Sequence, residues 1–116
     1  ITFGGHTVNH PCLINLPLKQ AKWEIIQSKK DIEEKLDKEV SSFSYPNGHL
    51  SPELVEFIKE SGFTCAVSVL PSKLISSKDN LYKLSRIEGC DDFSRFKVVS
   101  SGLWGDLQKM LGKNGA

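Results

Sequence analysis

The sequence predicts an α/β protein built on parallel strands, and three observations support this fold class. Apolar segments with strand character alternate with amphipathic helical segments along the chain. Residues 63–70 form a continuous apolar run, which is typical of a strand buried on both faces of a parallel sheet. The 116 residues, of which 39% are hydrophobic and 25% charged, suit one domain spanning residues 1–116.

The first elements are a short strand and a long helix. Residues 1–3 resemble the end of a strand, and a loop opens at Gly4. Residues 18–38 carry apolar side chains at helical spacing, which predicts an amphipathic helix. Its opposite face is charged, and we expect Glu24 and Asp31 to belong to that solvated face.

The middle of the chain predicts a strand, a turn and a second helix. Residues 40–45 are β-branched and aromatic and stop at the Pro-Asn-Gly turn of residues 46–48. Ser51 can cap the next helix, and Gly62 can end it in a left-handed conformation. The apolar run then follows as a strand, in which Cys65 is expected to belong to the core.

The last third predicts one more strand and two helices. Residues 81–87 can form the strand, and Asp91 or Asp92 can cap a helix that runs to about Ser100. Residues 103–111 are expected to form a final short helix.

Charge and composition exclude several function classes. The net charge is +1, with basic and acidic residues mixed, so no footprint for nucleic acid is present. No apolar stretch approaches the roughly 20 residues that span a bilayer. The three cysteines are widely spaced and form no CxxC motif, so they do not indicate a redox compartment.

The stretch GGHTVNHP, which starts at Gly4, holds two of the three histidines, His6 and His10. Imidazole is a common ligand of zinc and related metals, and side chains four residues apart can converge in a tightly turned stretch. Alternatively, both are solvated loop histidines, or His6 is a hydrogen-bonded structural residue. This loop and the turn at 45–49 both follow predicted parallel strands, so we expect them to open at the same edge of the sheet.

GGHTVNHPCLINLP, followed by a long helix and by VSSFSYPNGHLSPELVEFIKESGFTCAVSV, resembles the polysaccharide deacetylase family, also called the NodB-homology domain or carbohydrate esterase family four. The resemblance runs from about Thr2 to Val69 and weakens through LYKLSRIEG. It implies a distorted (β/α) barrel, of which this chain would be the C-terminal part without the N-terminal strands. It also implies a divalent metal, usually zinc, and the removal of acetyl groups from N-acetylated sugars.

The resemblance assigns roles to particular residues. His6 and His10 match the two metal histidines, and Thr7 matches the Ser/Thr that braces their loop. The turn that borders the substrate groove matches Tyr45, Pro46, Asn47 and Gly48. The backbone N–H of Tyr45 is the candidate donor to an oxyanion. Arg86 lies in a late strand, where this subgroup carries an arginine, and is a further candidate catalytic residue.

The chain also departs from the family pattern. The family carries paired aspartates, a general base and a third metal ligand, at the end of a strand that would precede Ile1. Ser44 replaces the arginine common two residues before the turn proline, and no Leu-x-His motif of the general acid is evident. His49 is expected to face solvent. We therefore expect the 116-residue chain alone to be inactive, and its open barrel edge to pair with a second copy or a partner.

The sequence thus predicts a metal-dependent polysaccharide deacetylase, a hydrolase of carbon–nitrogen bonds other than peptide bonds. Two alternatives stay open: a non-catalytic carbohydrate-binding or scaffold protein on a degenerate deacetylase fold, and a related amidase acting on a small molecule. Trp104 can lie at the edge of a sugar-binding groove, whereas Trp23 is expected to pack against other side chains or to be partly exposed. Family members are commonly secreted or surface-bound, but the sequence does not indicate the compartment.

Overall fold

Three parallel strands form the sheet of this protein in the computed structural model, which describes residues 1–69, 74–87, 89, 91–102 and 110–112. They lie in the order β1-β2-β3, with bounds Ser42–Ser44 for β1, Cys65–Ser68 for β2 and Leu84–Ser85 for β3. Phe43 lies opposite Ala66 in the first pair, and Val67 lies opposite Leu84 in the second. The predicted α/β class with parallel strands is confirmed.

The N-terminal segment also pairs with β1, but at Gly5 rather than at the predicted strand of residues 1–3. Gly5 donates its N–H to the carbonyl of Ser42 at 2.8 Å, and its own carbonyl accepts from the N–H of Ser44 at 2.9 Å. Residues 1–3 are exposed. A Cβ on Gly5 would lie 3.2 Å from the Phe43 ring, so a glycine lets this backbone approach the core closely.

The described residues include three α-helices beside the sheet, with bounds Leu18–Leu36 for α1, Pro52–Glu60 for α2 and Phe93–Ser100 for α3. They agree with the predicted helices to within about two residues. None of the helices in the described ranges is long and apolar enough to cross a bilayer. Trp23 on α1 is half exposed, as expected. Trp104 and most of the predicted helix at 103–111 lie outside the described residues.

Side-chain caps explain where the second and third helices begin. The Ser51 hydroxyl accepts a hydrogen bond from the N–H of Leu54 at 3.3 Å and caps α2. Asp92 caps α3, because its Oδ1 accepts from the N–H groups of Ser94 at 2.8 Å and Arg95 at 3.1 Å. Such caps satisfy backbone donors that have no partner within the helix.

The core is one apolar cluster contributed mainly by α1, α2, β1 and β2. Its buried members are Leu13, Ala21, Ile25, Val40, Phe43, Tyr45, Leu54, Val55, Ile58, Phe63 and Ala66. In β2, Ala66 and Ser68 are buried, whereas Cys65 and Val67 are only partly buried. The strand is therefore not buried on both faces, because within the described chain only one face packs fully against the core. Cys65 lies on the other face.

Candidate functional site

The loop of residues 4–11, here called the histidine loop, and the turn of residues 45–49 after β1 meet at the carboxyl edge of the sheet. His6 Nδ1 lies 2.7 Å from the carbonyl oxygen of Ser44, the last residue of β1. A carbonyl oxygen can only accept, so Nδ1 carries the proton in this hydrogen bond. In the neutral ring, Nε2 is then left with its lone pair. The prediction that the two loops share one edge of the sheet is confirmed.

The two imidazole rings lie beside one another. The ring centroids of His6 and His10 are 4.8 Å apart, the ring planes are inclined by 68°, and both side chains are exposed. The backbone between them is unusual, since Thr7 and His10 have φ values of +68° and +56°. Left-handed conformations of residues other than glycine cost free energy and persist where surrounding contacts fix them. The loop therefore needs contacts that hold it.

One such contact comes from Thr7 within the loop. Its hydroxyl donates to the carbonyl of His6 and accepts a hydrogen bond from the N–H of His10 at 3.1 Å. The side chain thereby links the backbone of the two histidines. This geometry supports the bracing role that the resemblance gives to Thr7.

A further contact comes from Glu24 on α1, and it corrects the prediction that this residue belongs to the solvated face. The Glu24 side chain is only 2% exposed. Its Oε2 accepts hydrogen bonds from the N–H groups of Val8 at 2.8 Å and Asn9 at 3.0 Å, and its Oε1 accepts from Asn9 Nδ2 at 2.8 Å. The carboxylate thus binds the two residues that lie between Thr7 and His10.

Helical spacing was the signal from which the burial of Glu24 could have been predicted. It lies three residues after Ala21 and four before Ser28, and all three are buried on the same face of α1. Burial raises the pKa of the Glu24 carboxyl, but the hydrogen bonds from Asn9 and Val8 outweigh it, and the net pKa is lowered. Glu24 is therefore ionised at neutral pH although it is buried.

The turn after β1 exposes only one of the four residues assigned to the groove. Tyr45, Pro46 and Gly48 are buried, whereas Asn47 is exposed, with a φ of +58°. The backbone N–H of Tyr45 donates to the carbonyl of Val67 at 3.1 Å, so the sheet already uses the donor that the resemblance offers to an oxyanion. The turn therefore presents Asn47, and not Tyr45, to solvent.

Tyr45 is anchored in the core by its side chain. Its hydroxyl donates to the carbonyl of Tyr82 at 2.7 Å, and burial raises the pKa of the phenol above its ordinary value. The phenol therefore stays protonated at physiological pH and acts as a hydrogen-bond donor. It fixes the start of the turn to the segment that precedes β3.

Gly48 and Ser68 join the turn to the end of β2. The Ser68 hydroxyl donates to the carbonyl of Gly48 at 2.7 Å. Gly48 has a φ of +72°, and a Cβ there would lie 2.4 Å from Val69 Cγ2. A side chain would therefore push the turn away from the sheet.

Arg86 lies at the same edge of the sheet, directly after β3. Its N–H donates to the carbonyl of Ser68 at 2.9 Å, and the residue is exposed. The segments after β1 and β3 are thus both hydrogen-bonded to Ser68, the last residue of β2. His49 is exposed as expected, beside the cap of α2.

The histidine pair is the candidate for two ligands of a metal ion. Both rings are exposed, their centroids are 4.8 Å apart, and His6 Nδ1 is hydrogen-bonded to the carbonyl of Ser44. Proteins commonly orient an imidazole ligand by such a hydrogen bond from the ring nitrogen that does not bind the metal. Among the described residues, no group of three or more His, Cys, Asp or Glu side chains is placed to hold a metal ion. The described chain thus offers two imidazoles toward such a site.

Comparison with known proteins gives the same family as the motifs. The family model for polysaccharide deacetylases matches residues 1–66. No match is found among curated protein sequences. A Streptococcus pyogenes deacetylase, PplD, whose structure holds acetate, is similar with a TM-score of 0.78 and 22% identity over 86% of this chain and 44% of that chain. At this identity, the likeness shows the shared fold.

A polysaccharide deacetylase from Bacillus cereus is similar with a TM-score of 0.62 and 25% identity over 72% of this chain and 26% of that chain. The present chain thus spans less than half the length of these solved structures. The profile match covers more than half of the 116 residues and includes the histidine loop and the turn after β1. This chain therefore belongs to the polysaccharide deacetylase family.

Proposed function

We propose that this chain acts in the metal-dependent deacetylation of N-acetylated polysaccharides, with His6 and His10 as metal ligands. The observation that carries the proposal is the hydrogen bond of 2.7 Å from His6 Nδ1 to the carbonyl of Ser44. It fixes the ring at the carboxyl edge of a parallel sheet, where α/β proteins place their chemistry. His10 lies alongside at a centroid distance of 4.8 Å.

The donor set suits a divalent ion such as zinc, which binds neutral imidazole and carboxylate groups. When bound, such an ion supplies a Lewis acid that polarises an acetamide carbonyl. The general base and the third ligand would come from the paired aspartates of the family pattern, which match no residue of this chain. The role of this chain is therefore to present the two imidazoles and to shape one wall of the groove.

The turn at 45–48 would form that wall. Because the N–H of Tyr45 is bonded to Val67 and Pro46 has no N–H, the backbone donor nearest the exposed tip of the turn is that of Asn47. A backbone N–H at that position can stabilise an oxyanion without reorganising. Buried Pro46 and Gly48 would set the shape of the turn rather than contact the sugar.

Two further groups lie close to this edge. The Ser44 hydroxyl oxygen is buried and has no hydrogen-bond partner among the described residues. Arg86 follows β3 at the same edge of the sheet, and its exposed guanidinium can donate to hydroxyl or acyl oxygens of a sugar. We propose substrate binding for Arg86.

Calorimetric titration with zinc tests the proposal, because the chain offers a matched control. His6→Ala and His10→Ala should each abolish measurable zinc binding, whereas His49→Ala, which removes the third histidine, should leave it unchanged. Equal zinc affinity in all four proteins would contradict the proposed ligands.

Substrate is tested separately with chito-oligosaccharides and with N-acetylated peptidoglycan fragments. We expect binding that weakens in Arg86→Ala and that zinc strengthens. Sugar binding that is insensitive to zinc and to His6→Ala would instead support the non-catalytic carbohydrate-binding alternative.

A further inference from the structure

The buried carboxylate of Glu24 anchors the histidine loop through hydrogen bonds. Glu24 receives three hydrogen bonds, all from Val8 and Asn9, at 2.8 to 3.0 Å. These two residues lie inside the five-residue segment that begins at His6 and ends at His10. The carboxylate therefore fixes the backbone between the two imidazoles.

An ionised carboxylate is costly to bury, and it is retained here only because its oxygens are satisfied. Oε2 accepts from two consecutive backbone N–H groups and Oε1 accepts from the Asn9 amide. Hydrogen bonds to an ionised acceptor are about twice as strong as neutral ones. Glu24 occupies an interior position of α1 with Ile25 next to it, both almost fully buried. The acceptor thus sits on a rigid, packed element.

The loop needs such an anchor because its backbone is strained. Thr7 and His10, on either side of the anchored pair, both adopt left-handed conformations. Strained residues of this kind cost free energy and relax when their contacts are removed. Relaxation at either residue would rotate one imidazole away from the other.

We infer that Glu24 is a positioning residue for the metal-binding histidines: its carboxylate holds Val8 and Asn9 and thereby sets the orientation of His6 and His10. The inference deepens the proposed function and rests on it for the role of the two rings. The hydrogen bonds of Glu24 go to Val8 and Asn9 and not to either imidazole. It acts through the backbone between them.

Three variants separate this role from general stability. Glu24→Ala removes all acceptors. Glu24→Gln keeps the size and shape of the side chain. The new glutamine's amide oxygen can accept both backbone N–H groups, and the Asn9 amide can rotate so that its oxygen accepts from the NH2 of the new glutamine. Glu34→Ala removes an exposed acid from the same helix and serves as the matched control.

The first measurement is metal-free and uses NMR spectra of the imidazole groups. In Glu24→Ala, the ring signals of His6 and His10 should move to the positions of free histidine, whereas Glu24→Gln and Glu34→Ala should keep the wild-type positions. Wild-type ring signals in a folded Glu24→Ala protein would overturn the inference, whatever the metal titration gives. If Glu24→Ala does not fold, Glu24→Asp takes its place, because its carboxylate is one methylene shorter and is withdrawn from Val8 and Asn9; altered ring signals together with wild-type backbone signals outside the loop then support the inference. Unaltered ring signals there overturn it.

The second measurement is zinc affinity of the folded variants. We expect about a tenfold or greater loss in Glu24→Ala, which is the range seen when groups that orient metal ligands are removed, and recovery in Glu24→Gln. Replacing a residue that only stabilises the fold would lower the free energy of unfolding and leave the zinc affinity of the folded protein unchanged. Absence of zinc binding in the wild type would refute the proposed function, while the ring signals would still decide whether Glu24 orients the loop.

Discussion

Gly48→Ala should lower the stability of this protein strongly, because the position combines a left-handed backbone with a close approach to β2. The φ of Gly48 is +72°, and an added Cβ would lie 2.4 Å from Val69 Cγ2 and 3.1 Å from the backbone nitrogen of Val69. The valine side chain can move only between staggered rotamers, and its nitrogen cannot move without shifting the end of β2. The contact with the nitrogen therefore cannot be relieved by a change of side-chain rotamer.

The magnitude follows from two terms. A left-handed alanine costs about 1–2 kcal/mol, and overpacking of this kind costs about 1–3 kcal/mol. The reduced entropy of the unfolded chain offsets about 0.4–1 kcal/mol. We therefore expect a loss of about 2–4 kcal/mol in the free energy of unfolding, which is a large part of the stability of a small domain.

Gly62→Ala provides the matched control, since Gly62 also has a positive φ, +87°, but an added Cβ would meet nothing closer than Lys29 Cε at 3.7 Å. It should cost only about 1 kcal/mol, from the left-handed conformation alone. Urea unfolding followed by circular dichroism measures both variants. Equal losses in the two proteins would refute the argument that the contact with Val69 requires glycine at position 48.

The remaining predictions concern contacts around the site. Tyr45→Phe removes the hydrogen bond of 2.7 Å to the carbonyl of Tyr82 and should cost about 1–2 kcal/mol in urea unfolding; an unchanged midpoint would show that this carbonyl finds another donor. Ser51→Ala removes the cap of α2 and should cost about 1 kcal/mol, whereas a larger loss would point to a role beyond capping. The pKa of Glu24 is lowered in the folded state, so its contribution to stability is present above the ordinary glutamate pKa and is lost as the pH falls below it. The wild type should therefore lose more unfolding free energy between pH 6 and pH 3 than Glu24→Gln, and parallel pH profiles would contradict this. Sedimentation velocity tests the prediction that the protein self-associates through a sheet edge, and a monomer at all concentrations would speak against it.

The sequence predicted the family and most of the fold, because local patterns of residues indicate both. Two histidines at a spacing of four, followed by a helix and a Tyr-Pro-Asn-Gly turn, identified the polysaccharide deacetylase family, which the match over residues 1–66 confirms. Caps and periodicity located the helices, since Ser51 and Asp92 satisfy backbone donors within a few residues. Strand pairing is non-local, and the predicted strand at residues 1–3 is replaced by a single bridge at Gly5.

What only the tertiary structure decided are the contacts between segments far apart in the sequence. The charge of Glu24 placed it in solvent, because a carboxylate is costly to bury, although its helical position lies on the buried face of α1. The cost is offset by donors from Val8 and Asn9, 15 to 16 residues earlier, and no local pattern shows those donors. Likewise, the partner of the Tyr45 N–H is a carbonyl of β2, so the availability of that donor depends on the pairing of the sheet. The sequence by itself determined the family and the candidate site residues, and the tertiary structure decided which contacts orient them, because hydrogen bonds between distant segments form only after the chain has folded.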